Sequence, residues 1–535
     1  MNKKILLVLV LISCIGLFLR FYKVESIPNG LTWDEAALGY NAFSISKTLR
    51  DEHGKFLPLA FTSFGDFKPP IYIYLTAPIV SLLGLSEVST RLLSVLSGTL
   101  AIFLLYLLVK EATNNTKWAL LCSLLLAVSP WHIFYSRGAW ETNLMTTFLI
   151  LGLFGIIRST KNKSGLLWGL AALFLSMMTY QAGKLYVPLI LIVLFWTGYL
   201  PFNTLILKNR SKALIWLVFG MACAGLLSLN LFTSDGNRLN RLSILNYKPD
   251  LNQENKKYGD ENSIFHSLFD LRVRLIASRY LTHYSTDFLF VDNKPTDRGH
   301  LPKIGMMYWV DALFVVIGLF ALVGLKDKKF RNLVLGLVII GAIPGALTLA
   351  DYSSTRNLFL VIPLTVVSGL GVLRIIEKNK IWPILIAPFW LFGIVYFWDI
   401  FMVHSNIVLG KEYNIGYKKV YQALSETKPS RAVITDVYGQ PYIYYLFYGK
   451  IDPAWYQKQN EYRENGIDVG YVGRVGDIEF RQFDVDEIKR SPNAFFAGAI
   501  GNYSGGNVND LDNIIYSDEV KVDGQEIMFK IVKTK

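Results

Sequence analysis

The chain has 535 residues, 52% of them hydrophobic and only 18% charged, with a formal net charge of +13. A soluble protein of this length carries more charge and fewer apolar runs, so a soluble class is excluded. The positive balance lies largely in short loops between apolar runs, with no zinc-finger or RNA-binding signature, and nucleic acid is excluded as a partner.

Apolar stretches long enough to cross a bilayer as helix recur along the chain, which predicts an α-helical multi-span membrane protein. Lys3 and Lys4 precede the first run, so the N-terminus is expected to be cytoplasmic and the following loop, 23–91, outside. "PPIYIYLTAPIVSLLG" is short and holds three prolines. It reads as a surface-lying or re-entrant helix, and counting it as a crossing would place every later basic loop outside. Spans are expected near 5–22, 92–109, 118–135, 142–158, 165–180, 184–200, 213–231, 306–325, 332–349, 358–376 and 381–402, about eleven in all, with a long outer loop at 232–305. The domain expectation is a transmembrane part, 1–402, and a small extracytoplasmic α/β domain, 403–535. In the latter, "YKKVYQALSET" reads as an amphipathic helix, "RAVITDVYG" as a strand and "SDEVKVDGQEIMFKIV" as a hairpin turning at Asp523-Gly524. Cys14, Cys122 and Cys223 lie in apolar segments and read as packing residues; the chain start reads as an uncleaved anchor in a plasma membrane.

Ionisable residues gather at the expected outer ends of the helices. The first loop holds Asp34, Glu35, Asp51, Glu52, His53, Asp66 and Lys68; Arg91, Arg137, Glu141, Lys184, His300 and Arg356 follow. Charges at such depths usually face a cavity. Carboxylates beside Arg and Lys at a bilayer surface suit sugar transfer from a polyprenyl-phosphate donor. The leaving phosphate wants cations, the acceptor hydroxyl wants a general base, and a carboxylate eases oxocarbenium charge. Asp34-Glu35 could equally cap a helix, and Lys68 before two prolines could snorkel to the interface. A transporter would place its charges in mid-span; an enzyme using a diphosphate-linked donor stays open.

"WDEAALGYNA", "FGDFKPPIYIYL", "RLLSVLSG" and "SPWHIFYSRGAWETNLM", in that order, resemble the C-type (GT-C) glycosyltransferase superfamily. The nearer likeness is to protein O-mannosyltransferases and lipid A aminoarabinose transferases, and covers roughly residues 1–200. It implies a membrane glycosyltransferase with a polyprenyl-phosphate sugar donor, usually inverting, acting on an acceptor protein, lipid or glycan. By motif position it implies Asp34 as catalytic base with Glu35 beside it. It implies Lys68 on the donor phosphate with Asp66 nearby, and Arg137 and Glu141 as the Arg and acid of the later turn. Arg91, His300 and Arg356 are further substrate-binding candidates by position alone. Aminoarabinose transferases carry Glu before that Lys, where it can help bind a metal; here the residue is Phe67. No metal is therefore expected to be obligatory, although a divalent ion stays open.

Overall fold

The computed structural model describes residues 2–161, 165–200, 216, 218–226, 244, 268–291, 299–459, 462–463, 470–504, 511–522 and 526–535. Among these residues six helices are long and apolar enough to cross a membrane, or seven if one bent pair counts as a single span. They include α1 (Lys3–Phe21), α4 (Glu87–Thr113) and α7 (Glu141–Ser159), with Lys328–Ala346, Leu358–Lys378 and Ile381–Val408 further on. Three more expected spans appear as shorter apolar helices: α8 (Gly165–Met177), α9 (Gly183–Trp196) and Asp311–Val323. The span expected at 213–231 lies largely outside the described residues, as do most of the 232–305 loop and the Asp523-Gly524 turn.

The expected span 118–135 is not one helix. α5 (Thr116–Val128) ends and α6 (Pro130–Arg137) leaves it at 55°. Pro130 has no N–H to continue the ladder, and Ser129 caps the new start by accepting from the His132 amide. The carbonyls this break releases are not left bare. Arg20 of α1 donates to Ala127 at 2.8 Å and Leu126 at 3.1 Å, and lies 2.8 Å from His132 Nδ1.

Hydrogen bonds gather one end of the bundle. Arg91 near the start of α4 reaches the carbonyls after α1, and Ile71 donates to Met178 just after α8. Tyr186 of α9 donates to the Arg356 carbonyl, and Thr142 of α7 to that of Thr355. α2 (Trp33–Thr48) and α3 (Ile71–Leu83) lie at this end. α3 has 13 residues, about 20 Å of helix against about 30 Å of hydrocarbon. It packs on α2, and Tyr72 donates to the carbonyl of Thr90 in α4. Between α2 and α3, β1 (Phe61–Ser63) and β2 (Asp66–Lys68) form a two-residue hairpin with Ser63 opposite Asp66. Phe64 and Gly65 both hold positive φ, 56° and 79°, as a type I′ turn demands.

The C-terminal segment contains the expected helix, Gly416–Thr427, and a six-stranded sheet. The sheet runs β6 (Arg474–Val475), β7 (Ile478–Phe480), β3 (Arg431–Ile434), β8 (Ala494–Gly498), β10 (Glu526–Thr534), β9 (Ile514–Val522), while β4 (Tyr462–Arg463) and β5 (Tyr471–Val472) pair with each other outside it. β3 is parallel to both neighbours, and β9 and β10 form the expected antiparallel pair. One apolar core runs from α2, the hairpin and α3 into this segment: Ala36, Leu38, Phe61 and Tyr72 share it with Tyr417, Tyr444, Phe447 and Phe529. The first outer loop thus packs as part of the C-terminal unit as well as against the bundle.

Candidate active site

α2 begins with Thr32 as N-cap. The Thr32 hydroxyl accepts from the Glu35 amide at 3.2 Å, and the Glu35 carboxylate accepts from the Thr32 amide at 3.1 Å, a reciprocal capping box. Both acids fall in the first turn, where the helix dipole favours them. Helical rotation sends them to different places. Asp34 turns outward and pairs with Lys68 Nζ at 2.7 Å, with side-chain exposures of 29% and 8%. Lys68 ends β2, so the hairpin and the following prolines fix its approach.

Glu35 turns inward. It receives Arg91 Nε at 2.9 Å and the Ala139 amide at 2.8 Å, and its side chain is 2% exposed. Arg91 further donates to the carbonyls of Val24, Pro28 and Gly30. Arg137 is likewise buried, donating to the carbonyls of Leu19, Tyr22, Lys23 and Ile27. These three residues were expected to meet substrate. In the structure the two guanidinium groups donate to carbonyls at the end of α1 and in the chain before α2, and Glu35 is held by Arg91 and the Ala139 amide.

Around the Asp34–Lys68 pair other groups converge. The carboxylate of Glu141, at the start of α7, is within electrostatic reach of both Lys68 and Asp34. Tyr180, in the turn between α8 and α9, feels Arg356, Glu141, Lys68 and Asp34. In the same turn Gln181 donates to the Phe67 carbonyl at 3.2 Å and accepts from Lys184, which ties this turn to β2. Arg356 is half-buried, its guanidinium 3.3 Å from Ser353 Oγ. Of the expected site residues, Asp34, Lys68, Glu141 and Arg356 therefore come together. Asp66 is placed on β2 opposite Ser63. His300 is buried beside the Tyr352 ring, in a small cavity with Trp131 and Tyr135. Tyr180 and Gln181 are not among the residues expected at the site. Their signal was the short polar turn "YQAGK", which has only Lys184 as a charged residue. Among the described residues no group of three or more His, Cys, Asp or Glu is arranged to hold a metal ion.

Residues 67–227 match the family described as dolichyl-phosphate-mannose-protein mannosyltransferase. This segment includes Lys68, Glu141 and Tyr180; Asp34 precedes it. No curated protein matches the chain in sequence. Among solved structures the chain is similar to ArnT from Cupriavidus metallidurans bound to undecaprenyl phosphate. Identity is 12%, coverage is 98% of this chain and 97% of that one, and the TM-score is 0.54. It is also similar to the Archaeoglobus fulgidus oligosaccharyltransferase tethered with an acceptor peptide, at 13% identity and TM-score 0.45. That match covers 83% of this chain but 63% of the other, less than two thirds of its length. The chain carries the C-type (GT-C) fold of membrane glycosyltransferases.

Proposed function

We propose that the protein transfers a sugar from a polyprenyl-phosphate donor to a hydroxyl acceptor at the extracytoplasmic face of the cell membrane. The observation that carries this reading is the Asp34–Lys68 pair, partly open to solvent, with Glu141, Tyr180 and Arg356 around it. The family match over 67–227 and the undecaprenyl phosphate held by ArnT support a lipid-phosphate ligand.

In this reading Lys68 and Arg356 receive the donor phosphate, which leaves as an anion and needs charge neutralisation rather than a proton. The acceptor oxygen forms a bond to the anomeric carbon as the bond from that carbon to the phosphate oxygen breaks. The hydroxyl proton passes to Asp34. The incoming phosphate competes with Asp34 for the Lys68 ammonium and so releases the carboxylate towards the acceptor hydroxyl. Glu141 adds negative potential where the sugar carbon becomes positive. Glu35, Arg91 and Arg137 serve as positioning residues.

Mass spectrometry of membrane lipids from a strain lacking the protein tests this. A polyprenyl-monophosphate sugar should accumulate, and a surface glycan, lipid or protein should lose one sugar. An unchanged lipid profile, or accumulation of a diphosphate-linked oligosaccharide, would overturn the reading.

A further inference from the structure

The C-terminal unit lies along the full length of α2. Just ahead of the N-cap, the Leu31 carbonyl accepts from Tyr444 Oη at 3.0 Å. At mid-helix, Gly39 leaves room for nothing larger, since a methyl there would strike Thr90 of α4 on one side and Phe447 on the other. Tyr40 Oη donates to the Ile451 carbonyl at 3.1 Å. At the far end, Gln457 Nε2 reaches Ser44 Oγ at 3.1 Å, Thr48 Oγ1 at 3.0 Å and the Asp51 carbonyl at 2.9 Å. A segment of the C-terminal unit, 444–457, thus brackets at both ends the helix whose first turn carries Asp34.

We infer that the C-terminal domain is a positioning element for the catalytic helix, and that Gln457 fixes the axial position of α2 and through it the place of Asp34. This rests on the reading of Asp34 as the base. The physical reason is rigidity. A hydrogen-bonded helix of 16 residues moves as a unit, so a displacement at Ser44 and Thr48 is felt at Asp34. A misplacement of about 1 Å in a reacting group can cost on the order of 10²-fold in rate. The shared apolar core keeps the two parts together if one polar contact is lost, so the effect of Gln457 is separable from folding. Gln457 is half-buried, which leaves space for its replacements.

The test compares Gln457→Glu, which keeps the shape but sets an acceptor against three oxygens, with Gln457→Lys, which keeps a donor. Each full-length variant is purified and added to membranes of the deletion strain, which hold the accumulated donor lipid and the unmodified acceptor. The rate of donor-lipid loss gives turnover; affinity for undecaprenyl phosphate and thermal unfolding are measured alongside. Gln457→Glu should turn over about 10-fold more slowly with unchanged lipid-phosphate affinity and unfolding temperature, and Gln457→Lys should recover most of the rate. Wild-type turnover in Gln457→Glu would overturn the inference. So would a fall in turnover that tracks a fall in unfolding temperature, or one that Gln457→Lys fails to rescue. Asp34→Asn is run in the same assay. If it turns over normally, or if the deletion membranes contain no polyprenyl-phosphate sugar, the proposed function fails first.

Discussion

Asp34 and Glu35 are neighbours in sequence and opposites in surroundings. Asp34 meets a lysine at 2.7 Å where solvent still reaches, with 29% of its side chain exposed. Glu35 meets an arginine at 2.9 Å with both side chains at 2% exposure or less. The open pair can exchange partners with a ligand. The closed pair has its lone pairs and donors occupied by the protein and holds the chain between α1 and α2 to α4. The difference teaches that exposure, rather than residue type, separates the carboxylate proposed to react from the one that holds the chain in place.

The largest expected effect comes from removing the open carboxylate. Asp34→Asn keeps the shape of the side chain but takes up no proton. Turnover should fall by about 10²–10⁴, the range for a lost general base, with lipid-phosphate affinity and unfolding temperature near wild type. Near-normal turnover would move the role of base to Glu141. At the closed pair the expectation reverses. Arg91→Leu leaves the Glu35 carboxylate buried without its ion partner and strips three carbonyls of their donor. Stability should drop by about 3–5 kcal/mol, read as thermal or denaturant unfolding in detergent. Lys68→Ala, at the open pair, should cost within about 1 kcal/mol of stability because Asp34 can be hydrated. Equal destabilisation by the two variants would erase the distinction between the pairs.

Phosphate affinity sharpens it further. Lys68→Ala and Arg356→Ala should each weaken binding of undecaprenyl phosphate by about 1.5–3 kcal/mol, one charge-assisted bond apiece. Arg137→Ala should leave that affinity unchanged and lower the unfolding temperature, since its donors serve four carbonyls. Calorimetry or thermophoresis in detergent reads both. Weaker binding in Arg137→Ala alone would return the phosphate to the position its motif suggests.

The membrane class, the non-spanning length of Ile71–Leu83 and the C-terminal α/β unit were legible because each follows from local pattern: hydropathy, prolines, alternation. The fate of Arg91 and Arg137 was not. A cation near a span end looks the same in sequence whether it faces a ligand or a cluster of carbonyls, and the carbonyls come from a segment about 60 to 120 residues away in the chain. The helix break at Ser129 was visible in Ser129-Pro130, yet the apolar run across it hid the bend. Tyr180 and Gln181 became site residues only through docking of their turn on β2.

Glu52 is a third kind of carboxylate. It is fully buried, with Oε1 accepting from Asn41 at 3.3 Å and lying 3.6 Å from His53 Nε2, while Oε2 has no hydrogen-bond partner among the described residues. Asp51 lies beside it, Lys68 acts on it from β2, and Tyr40, Tyr442 and Tyr456 feel its charge from α2 and the C-terminal unit. Burial is the main cause that pushes its carboxyl up to about 8 from an ordinary value of 4.5; Asp51 adds to it, and Asn41 and Lys68 oppose it. Between those values the folded protein keeps a proton that the unfolded chain has released. Stability from this group is therefore full below about 4.5, declines as pH rises towards 8, and is lost above it. Glu52→Gln, which cannot ionise, should unfold at a higher temperature than wild type at pH 8 and above and match it near pH 5. Its unfolding temperature should also vary less across that window. Parallel pH profiles for the two proteins would mean that Glu52 is ionised in the fold, and would group it with Asp34 as a carboxylate in contact with water.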